Sequence, residues 1–227
     1  KERLKPMKRK NKGRLFIVSA PSGAGKTTLC QNLTGAGKTT TCQNRSSILQ
    51  NLKHSVSYTT RPMRHGEINN RDYTFIKEDV FRRMARRDEF IEWAEVHGNL
   101  YGTSRKRLEA MLDKGINVIL DVDTQGARQI RKKYKDGIYI FILPPSLRAL
   151  KERLKKRMCN SREEIQRRLK RAVDEIREYK KYDYVIVNTV FDTAIEEMKA
   201  IISSEKLHTD NIDPLWVKKN FLTRRVQ

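Results

Sequence analysis

The sequence predicts an α/β fold in which a parallel β-sheet is flanked by helices. Four short apolar runs, rich in β-branched and aromatic residues, have the composition of buried parallel strands: 15–19, 117–122, 138–143 and 184–187. Segments with a helical spacing of apolar residues alternate with them: 105–114, 125–134, 147–157, 161–180 and 191–206. Strands and helices that alternate along a chain are typical of a parallel sheet.

Composition narrows the class of protein. The chain has 227 residues with 49 Lys and Arg against 27 Asp and Glu, and its formal net charge of +22 indicates a polyanionic partner. No apolar run approaches the ~20 residues that cross a bilayer, so an integral membrane protein is excluded. Cys30, Cys42 and Cys159 are too scattered for a disulfide framework or a zinc site. They favour a reducing compartment, and we expect a cytoplasmic protein.

A ten-residue segment occurs twice. Residues 23–32 recur as residues 35–44, and Leu29 and Thr41 are the pair that differs. Two copies with a period of 12 indicate a local tandem duplication rather than a solenoid. Gly35 and Gly37 would each cost ~1 kcal/mol inside a helix. We therefore expect the helix that follows the first copy to end early, or to form a bulge or loop.

The first copy belongs to a phosphate-binding motif that directly follows the strand at 15–19. It has the Walker A pattern, with alanine at the first glycine position: Ala20, Pro21, Ser22, Gly23, Ala24, Gly25, Lys26 and Thr27, with Thr28 next. Glycines let backbone N–H groups curl around phosphate, the lysine reaches the β and γ phosphates, and the threonine hydroxyl faces Mg²⁺. The order of strand, loop and helix disfavours the alternative of a simple helix cap. Lys38 in the second copy has no preceding strand, so we interpret that copy as a loop, with competition for phosphate as the alternative.

A second group of residues suits a phosphate monoester. Arg61 and Arg64 lie three apart among hydroxyl-bearing residues, with Tyr73 nearby. Arginine forks bind phosphate through two parallel hydrogen bonds. A solvated basic loop is the alternative.

These motifs together resemble the guanylate kinase family in its bacterial form. The pattern S-V-S-x-T-T-R-x-x-R-x-G-E-x-x-x-x-x-Y from Ser55 follows the phosphate loop, and further matches lie at 90–103, 119–127, 141–146 and 182–188. The resemblance covers about residues 13–207. It implies a P-loop fold with an inserted GMP-binding subdomain and a helical lid, and transfer of the γ-phosphoryl of ATP to GMP in purine nucleotide metabolism. The implied division is a basic extension (1–12), a core (13–54, 105–145 and 173–207, with the repeat insertion near 35–46), the GMP-binding subdomain (55–104), the lid (146–172) and a tail (208–227).

The resemblance also implies the roles of individual residues. The ligands of the GMP phosphate would be Arg61, Arg64, Tyr73 and Tyr101, and the groups around guanine would be Ser57, Glu92, Thr103 and Asp123. Guanine offers N–H donors that carboxylates accept, whereas adenine would leave a buried carboxylate unpaired, and such mispairing can discriminate by about 10⁴–10⁵. Without the other motifs, the more natural interpretation of Glu92 would be a carboxylate at the protein surface.

The remaining implied residues serve ATP and catalysis. Lys26 with the lid arginines Arg153, Arg157 and Arg168 would stabilise the charge that develops on the phosphoryl group. Asn188 would lie near adenine, with a simple turn as the alternative. Asp121 and Thr27 would hold Mg²⁺, directly or through water, and a strand-end cap is the alternative for Asp121. The family often has glycine after the second lid arginine, where this chain has Met158, so we expect the lid to bend differently.

Three other classes of function are open at this point. One is a guanylate-kinase-like binding domain whose catalysis is impaired by the duplication. Another is a nucleic-acid-binding protein, which the charge suggests but no aromatic stacking platform supports. The third is a kinase for another phosphate ester, against which Glu92 and Asp123 argue. A homodimer or higher homo-oligomer is compatible with the sequence, and no membrane partner is expected.

Overall fold

The computed structural model describes residues 12–35, 49, 51–96, 98–157 and 162–222. Its strands are β1 (Leu15–Ser19), β2 (Leu52–His54), β3 (Tyr58–Thr59), β4 (Thr74–Phe75), β5 (Phe90–Val96), β6 (Asn99–Ser104), β7 (Asn117–Asp121), β8 (Ile138–Leu143) and β9 (Tyr184–Val187). Its α-helices are α1 (Lys26–Thr34), α2 (Glu78–Arg86), α3 (Arg105–Asp113), α4 (Thr124–Lys133), α5 (Leu147–Arg157), α6 (Arg162–Arg177), α7 (Phe191–Glu205) and α8 (Pro214–Val217).

The central sheet is parallel, as the sequence predicts. Its strand order is β2-β7-β1-β8-β9, with Phe16 of β1 opposite Ile119 of β7 on one side and Ile138 of β8 on the other. Successive side chains of a strand point to opposite faces. Phe16 therefore packs in the cluster under α1 and α7, whereas Leu15 packs in the cluster under α3 and α4. The inner strands β7, β1 and β8 are buried on both faces, as in other parallel sheets, whereas Val185 and Val187 of the edge strand β9 are exposed.

Residues 58–104 contain a second, smaller sheet with the order β4-β3-β6-β5. Strands β5 and β6 form an antiparallel pair, and Phe81 of α2 stacks on Phe90 of β5 with ring centroids 4.4 Å apart. With Leu100, these two rings form a hydrophobic cluster of their own. Strand β5 of this sheet packs against α4, where the Gln129 side chain accepts a hydrogen bond from the N–H of Trp93 and donates one to its C=O.

The first helix ends before the second copy of the repeated segment. Helix α1 stops at Thr34, and Gly35 follows in a left-handed conformation with φ 69°. This conformation favours glycine and is a common way to end a helix. The expectation that α1 ends early is thus confirmed, while the path of residues 36–48, including Lys38, lies outside the described residues.

The carboxyl ends of the parallel strands meet at one edge of the central sheet. The phosphate loop follows β1, Asp123 follows β7 and Asn188 follows β9. Ligands of open α/β sheets bind at this edge. Within the described part of the chain, no helix is long and apolar enough to cross a membrane.

Candidate active site

The phosphate loop has the tight curl that its glycines predict. Gly23 and Gly25 have φ values of 93° and 94°, which side-chain-bearing residues rarely adopt. A Cβ atom at Gly25 would also lie 2.6 Å from Nδ2 of Asn188. The loop therefore requires glycine at this position for both its conformation and its packing.

Lys26 and Asp121 form a largely buried ion pair behind the loop. Lys26 Nζ lies 2.6 Å from Asp121 Oδ1 and also donates to the carbonyl of Val122. Burial alone would lower the pKa of Lys26, but the Asp121 carboxylate outweighs this effect and the pKa is raised. Burial likewise opposes ionisation of Asp121, yet Lys26 and a hydrogen bond from the Thr27 side chain hold its pKa below the usual value. Both groups are therefore charged at neutral pH.

The same residues have the right chemistry for a hard divalent cation. The Thr27 hydroxyl and the Asp121 carboxylate are adjacent oxygen donors, and Mg²⁺ binds to one or two carboxylates plus substrate phosphates rather than to an all-protein cage. No group of three or more His, Cys, Asp or Glu side chains suited to a metal is found among the described residues. The donor set thus fits Mg²⁺ that arrives with a nucleotide.

The predicted guanine residues lie on β5 and β6, at the start of α4 and between β2 and β3. Glu92 of β5 is buried, with 6% of its surface exposed, and accepts a hydrogen bond of 2.6 Å from the Thr103 hydroxyl. Burial raises the pKa of Glu92 to about 7, against the opposing effect of the Thr103 hydrogen bond, and the nearby Asp123 raises it further. One oxygen of Asp123 caps α4 by accepting from the N–H of Gly126 at 2.7 Å. Ser57 lies between β2 and β3, and its carbonyl accepts from the N–H of Thr74.

The predicted phosphate clamp is partly assembled by an acidic residue that the sequence analysis did not select. Arg61 pairs with Glu67 at 2.7 Å and lies over the ring of Tyr73, 5.4 Å from its centroid. Tyr101 packs edge-on against Tyr73. Glu67 also accepts from the backbone N–H of Arg64, whose side chain is exposed. The sequence could have indicated Glu67, because this residue belongs to the same motif and follows Arg64 by three positions.

The predicted lid arginines make different contacts from one another. Arg153 donates to the carbonyls of Ala24 and Asn188, at 3.3 and 2.9 Å, and the Asn188 side chain donates to the same Ala24 carbonyl at 2.8 Å. Arg153 and Asn188 therefore brace the phosphate loop. Arg168 pairs with Glu164 on its own helix at 2.8 Å. The side chain of Arg157, the last residue of α5, lies outside the described part of the structure.

A cavity of about 670 Å³ opens in front of the phosphate loop. This volume is within the range of small-molecule sites. Besides residues 20–27, its walls include Glu95, Val96, Asp123, Thr124, Gln125, Arg128, Arg168, Arg171 and Glu175. Arg128, Arg171 and Glu175 were not predicted as site residues, because nothing in their local pattern separates them from a solvated helix face.

A parallel sheet whose first strand leads into a glycine-rich phosphate loop, with a largely buried Lys–Asp pair behind that loop, is typical of P-loop nucleotide-binding proteins. Comparison of the sequence with known proteins identifies the family within this class. The family model described as guanylate kinase matches residues 12–205. The guanylate kinase of Geobacter metallireducens is 50% identical over 200 residues, 88% of this chain and 93% of that protein. The guanylate kinase of Escherichia coli K12 is 47% identical over 195 residues, 86% and 89% of the two chains.

A solved structure agrees with these sequences. The crystal structure of guanylate kinase from Anaplasma phagocytophilum has a TM-score of 0.71 and 32% identity, and the match covers 95% of this chain and 99% of that one. The chain belongs to the guanylate kinase family and is an ATP:GMP phosphotransferase. The predicted family, fold class and activity are confirmed, and no finding favours the alternative of an impaired binding domain.

Proposed function

We propose that the chain transfers the γ-phosphoryl group of ATP, held at the phosphate loop of this cavity, to GMP, held by the residues around Glu92 and Arg61. The observation that carries the assignment is the position of Asp123 and Gly126. Asp123 lines the cavity with the phosphate loop, and a Cβ atom at Gly126 would lie 3.0 Å from Glu92 Oε2 and 3.3 Å from Asp123 Oδ1. A guanine held at Glu92 would therefore lie close to phosphates held at the loop.

In this assignment GMP is bound at both ends. Glu92 accepts from the N–H donors of guanine, with Ser57, Thr103 and Asp123 around the base, and Arg61, Arg64, Tyr73 and Tyr101 bind its phosphate. Support comes from the burial of Glu92 and from the contacts that join Arg61, Tyr73 and Tyr101. A base without the matching donors would leave the buried Glu92 unpaired, which is costly.

The donor nucleotide occupies the phosphate loop. Backbone N–H groups of residues 20–28 surround the phosphates, Lys26 contacts the β and γ phosphates, and Asn188 lies near adenine. Thr27 and Asp121 would hold Mg²⁺, which when bound neutralises charge on the phosphates. Arg153, Arg157 and Arg168 stabilise the charge that spreads over the phosphoryl oxygens as the GMP phosphate attacks in line. Because ATP and GMP are cytosolic metabolites, we propose a cytoplasmic location as well.

The test is ADP formation from ATP with GMP, AMP, UMP or CMP as acceptor. We expect ADP to form when GMP is the acceptor and not when AMP, UMP or CMP is. Lys26→Ala should lower kcat by at least about 100-fold, because it removes a cation at the developing charge. The repeat offers a matched control, Lys38→Ala, which makes the same change in the second copy and should leave kcat within about twofold of the unmodified chain.

Two results would overturn the assignment. If Lys38→Ala rather than Lys26→Ala abolished turnover, the second copy would be the phosphate site. If the folded chain bound GMP without forming ADP, the residues would constitute a binding site whose catalysis is impaired.

A further inference from the structure

Strand β5 lies at the edge of the small sheet, and a side chain of α4 binds two of its backbone groups. The outward N–H and C=O groups of an edge strand have no second strand to pair with. Gln129 of α4 accepts a hydrogen bond of 3.1 Å from the N–H of Trp93 and donates one of 2.8 Å to the C=O of the same residue. One carboxamide thus pairs with both groups, as a neighbouring strand would.

The same face of α4 approaches β5 at two further points. Gly126, Gln129 and Lys133 are spaced by three and four residues, so they lie on one face of the helix. Lys133 Nζ donates to the carbonyl of Phe90 at 3.1 Å. At the other end of this face, a Cβ atom at Gly126 would lie 3.0 Å from Glu92 Oε2. Gln129 therefore lies in the middle of the contact between α4 and the first half of β5.

The position of Glu92 depends on this contact. The N–H of Trp93 belongs to the peptide unit that directly follows the Cα atom of Glu92. The register between β5 and β6 shifts between Phe90 and Glu92, as at a β-bulge, and bulges interrupt the ladder and redirect side chains. The hydrogen bond from Trp93 to Gln129 therefore fixes the peptide plane beside the point where the ladder is irregular. Because Asp123 caps the same helix, this bond also relates Glu92 to Asp123.

We propose that Gln129 is a positioning residue for recognition of the base: by joining β5 to α4, it sets the position of the Glu92 carboxylate relative to that of Asp123. This inference rests on the proposed function, in which both carboxylates lie around guanine. Gln129 bonds to backbone groups of β5, so its loss should act through Glu92. Because small misplacements of a binding group are costly, GMP binding should weaken. The proposed ATP contacts at the phosphate loop and Lys26 lie outside this contact and should be retained.

The test measures the Kd for GMP by isothermal titration for Gln129→Ala, for Glu92→Gln and for the variant that carries both changes, and kcat and the KM for ATP by ADP formation. We expect Gln129→Ala to raise the Kd about tenfold, while kcat and the KM for ATP stay within about threefold. The Kd of the double variant should lie within about twofold of that of Glu92→Gln, because no carboxylate is left to position. Lys132→Ala is the control: it makes the same change at an exposed residue of α4 and should leave the Kd unchanged.

Two outcomes would overturn the proposal. One is a folded Gln129→Ala variant whose Kd for GMP is unchanged. The other is a double variant in which the two losses multiply, since a purely structural contribution of Gln129 would be independent of Glu92. If Gln129→Ala does not fold, Gln129→Met replaces it under the same criteria, because methionine is similar in helix propensity but cannot bond to both backbone groups. Failure of the proposed function would instead appear in the unmodified chain, as absence of GMP-selective turnover.

Discussion

The raised pKa of Glu92 makes GMP binding sensitive to pH near neutrality. Burial moves the pKa of this carboxyl to about 7 in the protein without nucleotide. If Glu92 accepts hydrogen bonds from guanine, as proposed, GMP binds the ionised form. The ionised fraction is about 0.9 at pH 8 and about 0.1 at pH 6, so the Kd for GMP should rise about tenfold across this interval, or about 1.4 kcal/mol.

The assay is isothermal titration of GMP at pH 6, 7 and 8. At pH 7 binding should release about half a proton per site, because about half of the Glu92 carboxyls are protonated before GMP binds. Titrations in two buffers with different ionisation enthalpies measure this release directly. The binding of ATP should not carry the same dependence, since its proposed phosphate contacts are with the loop and Lys26.

Glu92→Gln is the control, because the second ionisation of the GMP phosphate, with a pKa near 6, affects both proteins alike. The variant should bind GMP more weakly and lose the part of the pH dependence that belongs to Glu92. Thr103→Val removes the hydrogen bond that lowers the pKa of Glu92 and should move the midpoint to higher pH. Identical pH dependence in the unmodified and Gln proteins, with no proton release, would refute this reasoning.

Three further perturbations test neighbouring contacts. Gly126→Ala should fold, because alanine favours a helix. Its Cβ atom would lie 3.0 Å from the Glu92 carboxylate and press on it, so the KM for GMP should rise about tenfold while the KM for ATP stays unchanged. An unaltered KM for GMP would contradict this prediction. Glu67→Gln weakens the hold on Arg61 and should raise the KM for GMP about three- to tenfold in steady-state assays. Burial lowers the pKa of His54, so the folded state binds fewer protons than the unfolded chain and stability is lost as pH falls below about 6.5. His54→Leu should therefore show a smaller fall in Tm between pH 7.5 and 5.5 than the unmodified protein.

The central sheet was predictable because its strands are apolar on both faces. The runs at β1, β7, β8 and β9 stand out in the sequence for this reason. Strand β2 was missed: it has three residues, with Lys53 in the middle, and lies at the edge of the sheet. Its pairing with β7 depends on tertiary contacts that no local pattern encodes.

Only those parts of the candidate site that form a motif along the sequence could be predicted; the contacts between distant residues could not. The phosphate loop could be read directly, because its glycines and lysine are adjacent in sequence. The contact between Arg153 and Ala24 joins residues 129 apart, and sequence reasoning placed Arg153 in the lid without its bond to the loop. The role of Glu67 likewise depends on the fold of its loop, which brings its carboxylate to Arg61.

Three of the cations proposed to bind phosphate already have carboxylate partners. The pairs are Lys26 with Asp121, Arg61 with Glu67 and Arg168 with Glu164. A nucleotide phosphate that enters the site therefore replaces or joins an existing anion instead of meeting an isolated cation. The gain in free energy is the difference between two charge-assisted interactions, which is smaller than either one. Every nucleoside monophosphate carries the same phosphate, so discrimination between acceptors depends on how the base meets the buried Glu92, and this is why the base rather than the phosphate should decide which acceptor is used.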